Sequence, residues 1–275
     1  DLSPAWSADG RRIAFLRDLG DGRVAIMMIP AAGGFAVKLA ETNAPLVEHY
    51  RNLAFTADGR WLISTASTPN SDAKGLFLFS TDNGASRRLT QPDDGFDIHP
   101  ALSPDGRSLA FLRGPDLPSV DLYVLPLNPD WSPSGEPRRL TFWNRFALSP
   151  AWTRDGSEII VASGEYFSTR LWRVPISGAA KASLITSAGD EVILPAFAPD
   201  GRLVFSQRRK RVSIWSLDLT ARGQAGSRLR RWPGSSSRID THPRFSPDGR
   251  RVAFVSTRSG AKQVWIANAD GSGPV

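Results

Sequence analysis

The chain contains three imidazoles, His49, His99 and His242. Two of them stand in near-copies of one phrase, FDIHPALSPDG and IDTHPRFSPDG, each two residues after an aspartate, Asp97 and Asp240. Residues two apart on a strand face the same way, so each carboxylate and imidazole would be presented together. Imidazole and carboxylate side by side can hold a metal or a polar ligand. The same aspartate can instead accept a backbone N–H and fix a loop. There is no cysteine, which excludes disulfides, thiolate nucleophiles and cysteine-ligated metals. G-x-S-x-G, G-x-x-x-x-G-K-[ST] and H-E-x-x-H are all missing, so a serine-hydrolase elbow, a P-loop and a zincin site have no sequence basis. No catalytic residue, metal or cofactor is therefore expected, and the chain alone reads as a non-enzyme.

Charge is the next chemical resource. Net charge is +7, and the densest run is Arg208, Arg209, Lys210 and Arg211. Such a run can meet an acidic peptide, a lipid head group or a phosphate. It can equally be a solvated loop, since loops collect charge. The other arginines are spread through the whole chain rather than gathered into a stripe, so no direct nucleic-acid contact is expected.

The scaffold that positions these groups is legible as a repeat. Aligned on an Asp-Gly step, the chain places Asp9, Asp58, Asp105, Asp155, Asp200 and Asp248 at intervals of 45 to 50 residues. Pro4, Pro100, Pro150, Pro195 and Pro243 stand five residues earlier, and Trp6, Phe55, Leu102, Trp152, Phe197 and Phe245 stand three earlier. SPDG and SADG are tight-turn sequences: Pro pre-sets the second turn position and Gly takes the left-handed one. Alternating runs such as RIAFL, SLAFL and RVAFV follow each turn, and β-branched and aromatic runs such as LFLFS and QVWIA come next. RRLT occurs twice as a fourth strand. Four antiparallel strands repeated at this period predict an all-β propeller of about six blades. The units are about 1–42, 43–92, 93–142, 143–188, 189–234 and 235–275, a single domain over 1–275. The sixth unit stops at GSGPV before a fourth strand, and the first residue is Asp1 inside a repeat. These features read as a piece of a longer protein.

In this alignment the first strand of each blade lies nearest the central channel. Ser3, Asn52, Ser149 and Leu194 fall at the repeat position of His99 and His242, making a mostly polar ring at one channel mouth, with His49 close by in the second repeat. One ion could not touch both histidines from opposite sides, so a peptide, protein segment or small ligand suits the mouth better than a metal. The periodic tryptophans Trp6, Trp152, Trp172, Trp215 and Trp265 are expected between blades. Trp61, Trp131, Trp143 and Trp232 fall outside the pattern and are candidates for surface contact, and NPDWSPSGE (128–136) reads as an exposed loop.

The phrase P-x-W-S-P-D-G-R-x-I-A-F resembles the WD-repeat-like unit of TolB-family propellers. PRRLTFWNRFALSPAWTRDGSEIIVASG (137–164) and PRFSPDGRRVAFVSTRSGAKQVWIANADGSGPV (243–275) are similar to propellers of bacterial, especially acidobacterial, regulators. There the propeller follows a winged-helix domain, as in CadC-like regulators, or a serine/threonine kinase domain, often across a membrane helix. The resemblance implies a sensor or interaction domain. DNA binding would belong to the parent chain only, and membrane attachment would come only through the parent, with this domain periplasmic or else cytoplasmic. Two alternatives are the gating propeller of a prolyl-oligopeptidase-like serine peptidase and a periplasmic TolB-type scaffold.

Overall fold

Short alternating apolar runs closed by Asp-Gly turns form four-stranded antiparallel sheets in the computed structural model, which describes residues 1–20, 22–43, 53–67, 74–165, 168–178, 181–198, 200–207, 212–219, 225–261 and 263–275. The first sheet is β1 (Leu2–Trp6), β2 (Arg12–Gly20), β3 (Arg23–Pro30) and β4 (Val37–Asn43), and the second is β5 (Ala54–Phe55), β6 (Trp61–Ala66), β7 (Gly75–Ser80) and β8 (Ser86–Arg88). The third is β9 (Phe96–Leu102), β10 (Ser108–Gly114), β11 (Asp121–Pro126) and β12 (Arg138–Arg139). The fourth is β13 (Phe146–Trp152), β14 (Glu158–Glu165), β15 (Ser168–Pro175) and β16 (Ser183–Leu184). Two hairpins follow, β17 (Val192–Phe197) with β18 (Leu203–Gln207) and β19 (Trp215–Leu219) with β20 (Ala225–Arg231). A three-stranded sheet, β21 (Asp240–Phe245), β22 (Arg251–Ser256) and β23 (Gln263–Asn268), comes last.

The chain divides into two compact units, Asp1–Gln207 and Arg208–Val275, so the fifth repeat contributes one hairpin to each. In the first unit, sheets stack face to face through apolar layers. Leu16 and Ile26 meet Leu62 and Phe77 between the first two sheets, and Ile63 and Leu78 meet Leu109 and Phe111 in the next layer. Leu112 and Leu122 meet Trp152 and Val161, and Phe146 and Leu171 meet Val192. Each fully buried side chain such as Phe111 contributes about 1.5–3 kcal/mol by leaving water. The second unit has its own core, where Trp232 meets Phe254 edge-on at 5.2 Å.

The predicted turns form as read. Gly106 takes φ +70°, a value costly for other residues, and the Ser103 hydroxyl donates to Asp105 at 2.6 Å while accepting Ser108 N–H at 2.9 Å. Ser7, Thr56, Thr153 and Ser246 repeat this knot, and Ala198 is the departure from it. The last strand of the fourth sheet, Ser183–Leu184, is two residues long and is followed by a one-turn 3-10 helix at Thr186–Ala188. At the end of the sixth repeat, Val275 exchanges both backbone hydrogen bonds with Ile266 at 2.9 Å, one step of pairing on the outer edge of β23.

The segment 128–136 is largely exposed, as expected of a loop, and is anchored by its tryptophan. It is the hairpin turn between β11 and β12, with Trp131 left-handed at φ +64°. Its indole covers Gly106, where an added Cβ would meet the ring at 3.2 Å, and its N–H reaches Asp58 of the second repeat at 3.1 Å.

Candidate functional site

Every described first strand that carries an X-Pro step has the same irregularity. Pairing with the second strand slips by one residue at Ser3-Pro4, His99-Pro100, Ser149-Pro150, Leu194-Pro195 and His242-Pro243. Proline brings no N–H to the ladder and steers the residue before it out of the right-handed helical region, and an extra residue is accommodated as a bulge. The residue before each proline takes a left-handed φ: 54° at Ser3, 56° at His99, 45° at Ser149, 54° at Leu194 and 54° at His242. Glycine is the ordinary occupant of that conformation, and a non-glycine pays about 1–2 kcal/mol for it. The bulge also cancels the two-residue alternation that would aim Asp97 with His99.

Asp97 is fully buried, and its carboxylate accepts the Arg113 fork at 2.6 and 2.8 Å and the Thr90 hydroxyl at 2.5 Å. Thr90 belongs to the preceding repeat, so this carboxylate ties two blades. Asp1 grips Arg17 in the same way at 2.7 and 2.9 Å. Asp240 accepts the hydroxyls of Ser256 at 2.6 Å and Ser236 at 3.1 Å, with Arg258 at 3.5 Å. Each guanidinium lies over a ring of its own sheet, Arg113 over Phe111, Arg17 over Phe15 and Arg258 over Phe254. Asp97 and Asp240 thus sit at one repeat position and serve as internal clamps. For Asp97 and Asp1 the signal was present in sequence as the arginine closing SLAFLR and RIAFLR; in the sixth repeat Ser256 stands at that position.

His99 contacts its repeat counterpart: Nδ1 lies 3.3 Å from the Ser149 hydroxyl, and both residues are buried. By residue type this is a nucleophile and a base. Burial pushes the imidazole down to about 3, which makes it a weak base at neutral pH, and the surrounding chain seals the hydroxyl from any substrate. His242 is exposed, with Nδ1 3.0 Å from the Thr241 hydroxyl. Ser3 is half-buried and Leu194 is 42% exposed. His49, Asn52 and the run Arg208, Arg209, Lys210 and Arg211 lie outside the described residues. Among the described residues, no three His, Asp or Glu side chains are grouped to hold a metal ion.

A second clamp was not anticipated. Asp121 opens β11 and accepts the Thr141 hydroxyl and the Trp143 N–H, each at 2.7 Å, and the Arg139 guanidinium at 2.5 Å. This fixes the link between the third and fourth sheets, where Arg145 lies over the adjoining indoles of Trp143 and Trp172 at 4.4 and 4.6 Å. The off-pattern Trp143, Trp61 and Trp232 all pack into cores. Of the periodic set, Trp152 is buried and donates to Ala101 O of the neighbouring blade at 2.8 Å. Trp6 and Trp215 are 60% and 57% exposed, each on a terminal sheet of its unit.

Comparison with known proteins converges on one description. A family model described as the TolB beta propeller domain matches residues 1–235. The Tol-Pal system protein TolB of Bordetella pertussis is 27% identical over 124 residues, 45% of this chain and 27% of that protein. The chain's match therefore spans about a quarter of that relative's length. The crystal structure of TolB from Acinetobacter baumannii superposes with a TM-score of 0.58 at 17% identity, over 95% of this chain and 62% of that one. A puromycin hydrolase structure superposes at 0.51 and 18% identity, over 96% of this chain and 42% of that one. At these identities the two structures establish the fold: all-β, a propeller of TolB type.

Proposed function

Because this chain belongs to the TolB beta propeller domain family, we propose that it is a non-catalytic binding propeller whose ligand is a protein or peptide segment. One observation carries the reading: the buried acid and base groups of the third repeat's first strand are each taken up by internal partners. Asp97 is held by Arg113, and His99 is buried, neutral and bonded to Ser149. Such groups support a rigid surface better than proton transfer. Each unit has one exposed bulge residue for a partner to meet on that unit, Leu194 in the first and His242 in the second. Bulges re-aim side chains and collect at functional sites.

The Bordetella relative works in a Tol-Pal system, which makes the Pal component the first partner to try. Calorimetric titration of this domain with purified Pal should give saturable binding, weakened at least tenfold by Leu194→Asp with little change in Tm. Absence of binding overturns the TolB-type partner, and turnover of a peptide substrate by the domain overturns the non-catalytic reading. Joined to a winged-helix or kinase domain, the same surface would act as a regulator's sensor. Sequencing the gene on both sides of this segment tests that finer reading, and a downstream G-x-S-x-G domain would favour the peptidase gate.

A further inference from the structure

The fourth repeat breaks the turn grammar in a way that has a chemical consequence. The residue after the turn hydroxyl is Ala8, Ala57, Pro104, Pro199 or Pro247 elsewhere, but Arg154 here. The residue after the turn glycine is Arg11, Arg60, Arg107, Arg202 or Arg250 elsewhere, but Ser157 here. The neighbouring hairpin β17–β18 breaks the grammar too, with Ala198 in place of the hydroxyl. One of these departures, Arg154, lines an open cavity of about 430 Å³ together with Thr153, Asp155, Phe197 and Gly201.

Its lining carries both charges, Arg154 and Asp155, but the carboxylate is already engaged. Asp155 is engaged by the Thr153 hydroxyl at 2.6 Å, Ser157 N–H at 3.1 Å and the Ser157 hydroxyl at 2.7 Å, which hold it at about 2. Nearby Asp200 is engaged by Arg202 through N–H at 3.0 Å and Nε at 2.6 Å. Arg154 is exposed, and its guanidinium has no partner among the described residues. A flat five-donor fork beside an aromatic wall suits a carboxylate carried on an apolar group. The volume falls in the range of small-ligand pockets.

We propose that the cavity between the fourth-repeat turn and the β17–β18 turn binds a peptide carboxylate next to an aromatic side chain, with Arg154 as the anion-binding residue and Phe197 as the apolar wall. A proline at 154 would pre-set the turn, so this arginine replaces a residue better suited to the backbone.

The test uses N-acetylphenylalanine and its neutral amide, titrated against the whole chain by NMR. The acid should saturate the site with a Kd of about 1 mM. The amide should bind at least about tenfold more weakly, because it offers no charge-assisted hydrogen bond. Arg154→Ala should lose binding to the same extent. Arg154→Pro restores the residue found at Pro104 and Pro247, and should lose binding while holding or raising Tm. Equal binding of acid and amide, undiminished binding by Arg154→Pro, or no saturation by the acid would each overturn the assignment.

Discussion

Replacing Asp97 with Asn separates a structural clamp from a ligand-binding pair. Asn keeps the volume but removes the charge, and it turns an NH2 donor toward Arg113 or Thr90, both of which donate to Asp97 now. Removing one member of a buried ion pair costs about 3–5 kcal/mol. The Arg113 side chain is 22% exposed and can recover some hydration, so the lower end, about 3 kcal/mol, is expected. For a protein of this size that is a fall in Tm of roughly 6–12 °C, read by calorimetry or circular dichroism. The double variant Asp97→Asn/Arg113→Met removes the stranded cation and should lose less than the sum of the single losses, by more than about 0.5 kcal/mol. A change in Tm within about 1 °C, or additive losses, would refute the clamp and return Asp97 to the ligand-binding role.

Burial of His99 gives a pH dependence. Its folded value of about 3 lies below the unfolded 6.5, so the unfolded chain binds the extra proton and stability falls as pH drops from 6.5 toward 3. The slope is about 1.4 kcal/mol per pH unit, and His99→Gln should flatten it between pH 6.5 and 4.5 in urea titrations. Below that window the turn aspartates add their own loss, since Ser103 and its counterparts hold groups such as Asp105 below the ordinary carboxylate value. Ser103→Ala should cost about 1–2 kcal/mol by orphaning Ser108 N–H. Ala198→Ser, which supplies the missing knot, should gain about 0.5–1 kcal/mol, and a loss in its melting curve would contradict the account of the turn. Leu194→Asn should stabilise by about 0.5–1 kcal/mol, because Asn tolerates the left-handed φ better than Leu. An unchanged or lower Tm would show the bulge is not strained there.

Residue order alone determined the all-β class, the repeat of 45 to 50 residues and the turns, because each is encoded locally. Period-two alternation, a proline before the bulge and glycine after aspartate act within a few residues of themselves. The same local logic misled where the bulge intervened: Asp97 and His99 are two apart in sequence, but a left-handed residue between straight segments undoes the shared facing. Which partner each polar group takes was decided by the tertiary structure. Asp97 is joined to Arg113, sixteen residues on, and Thr90 in the blade before, while His99 meets Ser149 fifty residues away. Trp131, without a place in the periodic pattern, is held by Asp58 across seventy-three residues. A carboxylate or an indole takes its role from the charges and donors that packing brings within about 3 Å, and stacking blades brings together residues that no local pattern links.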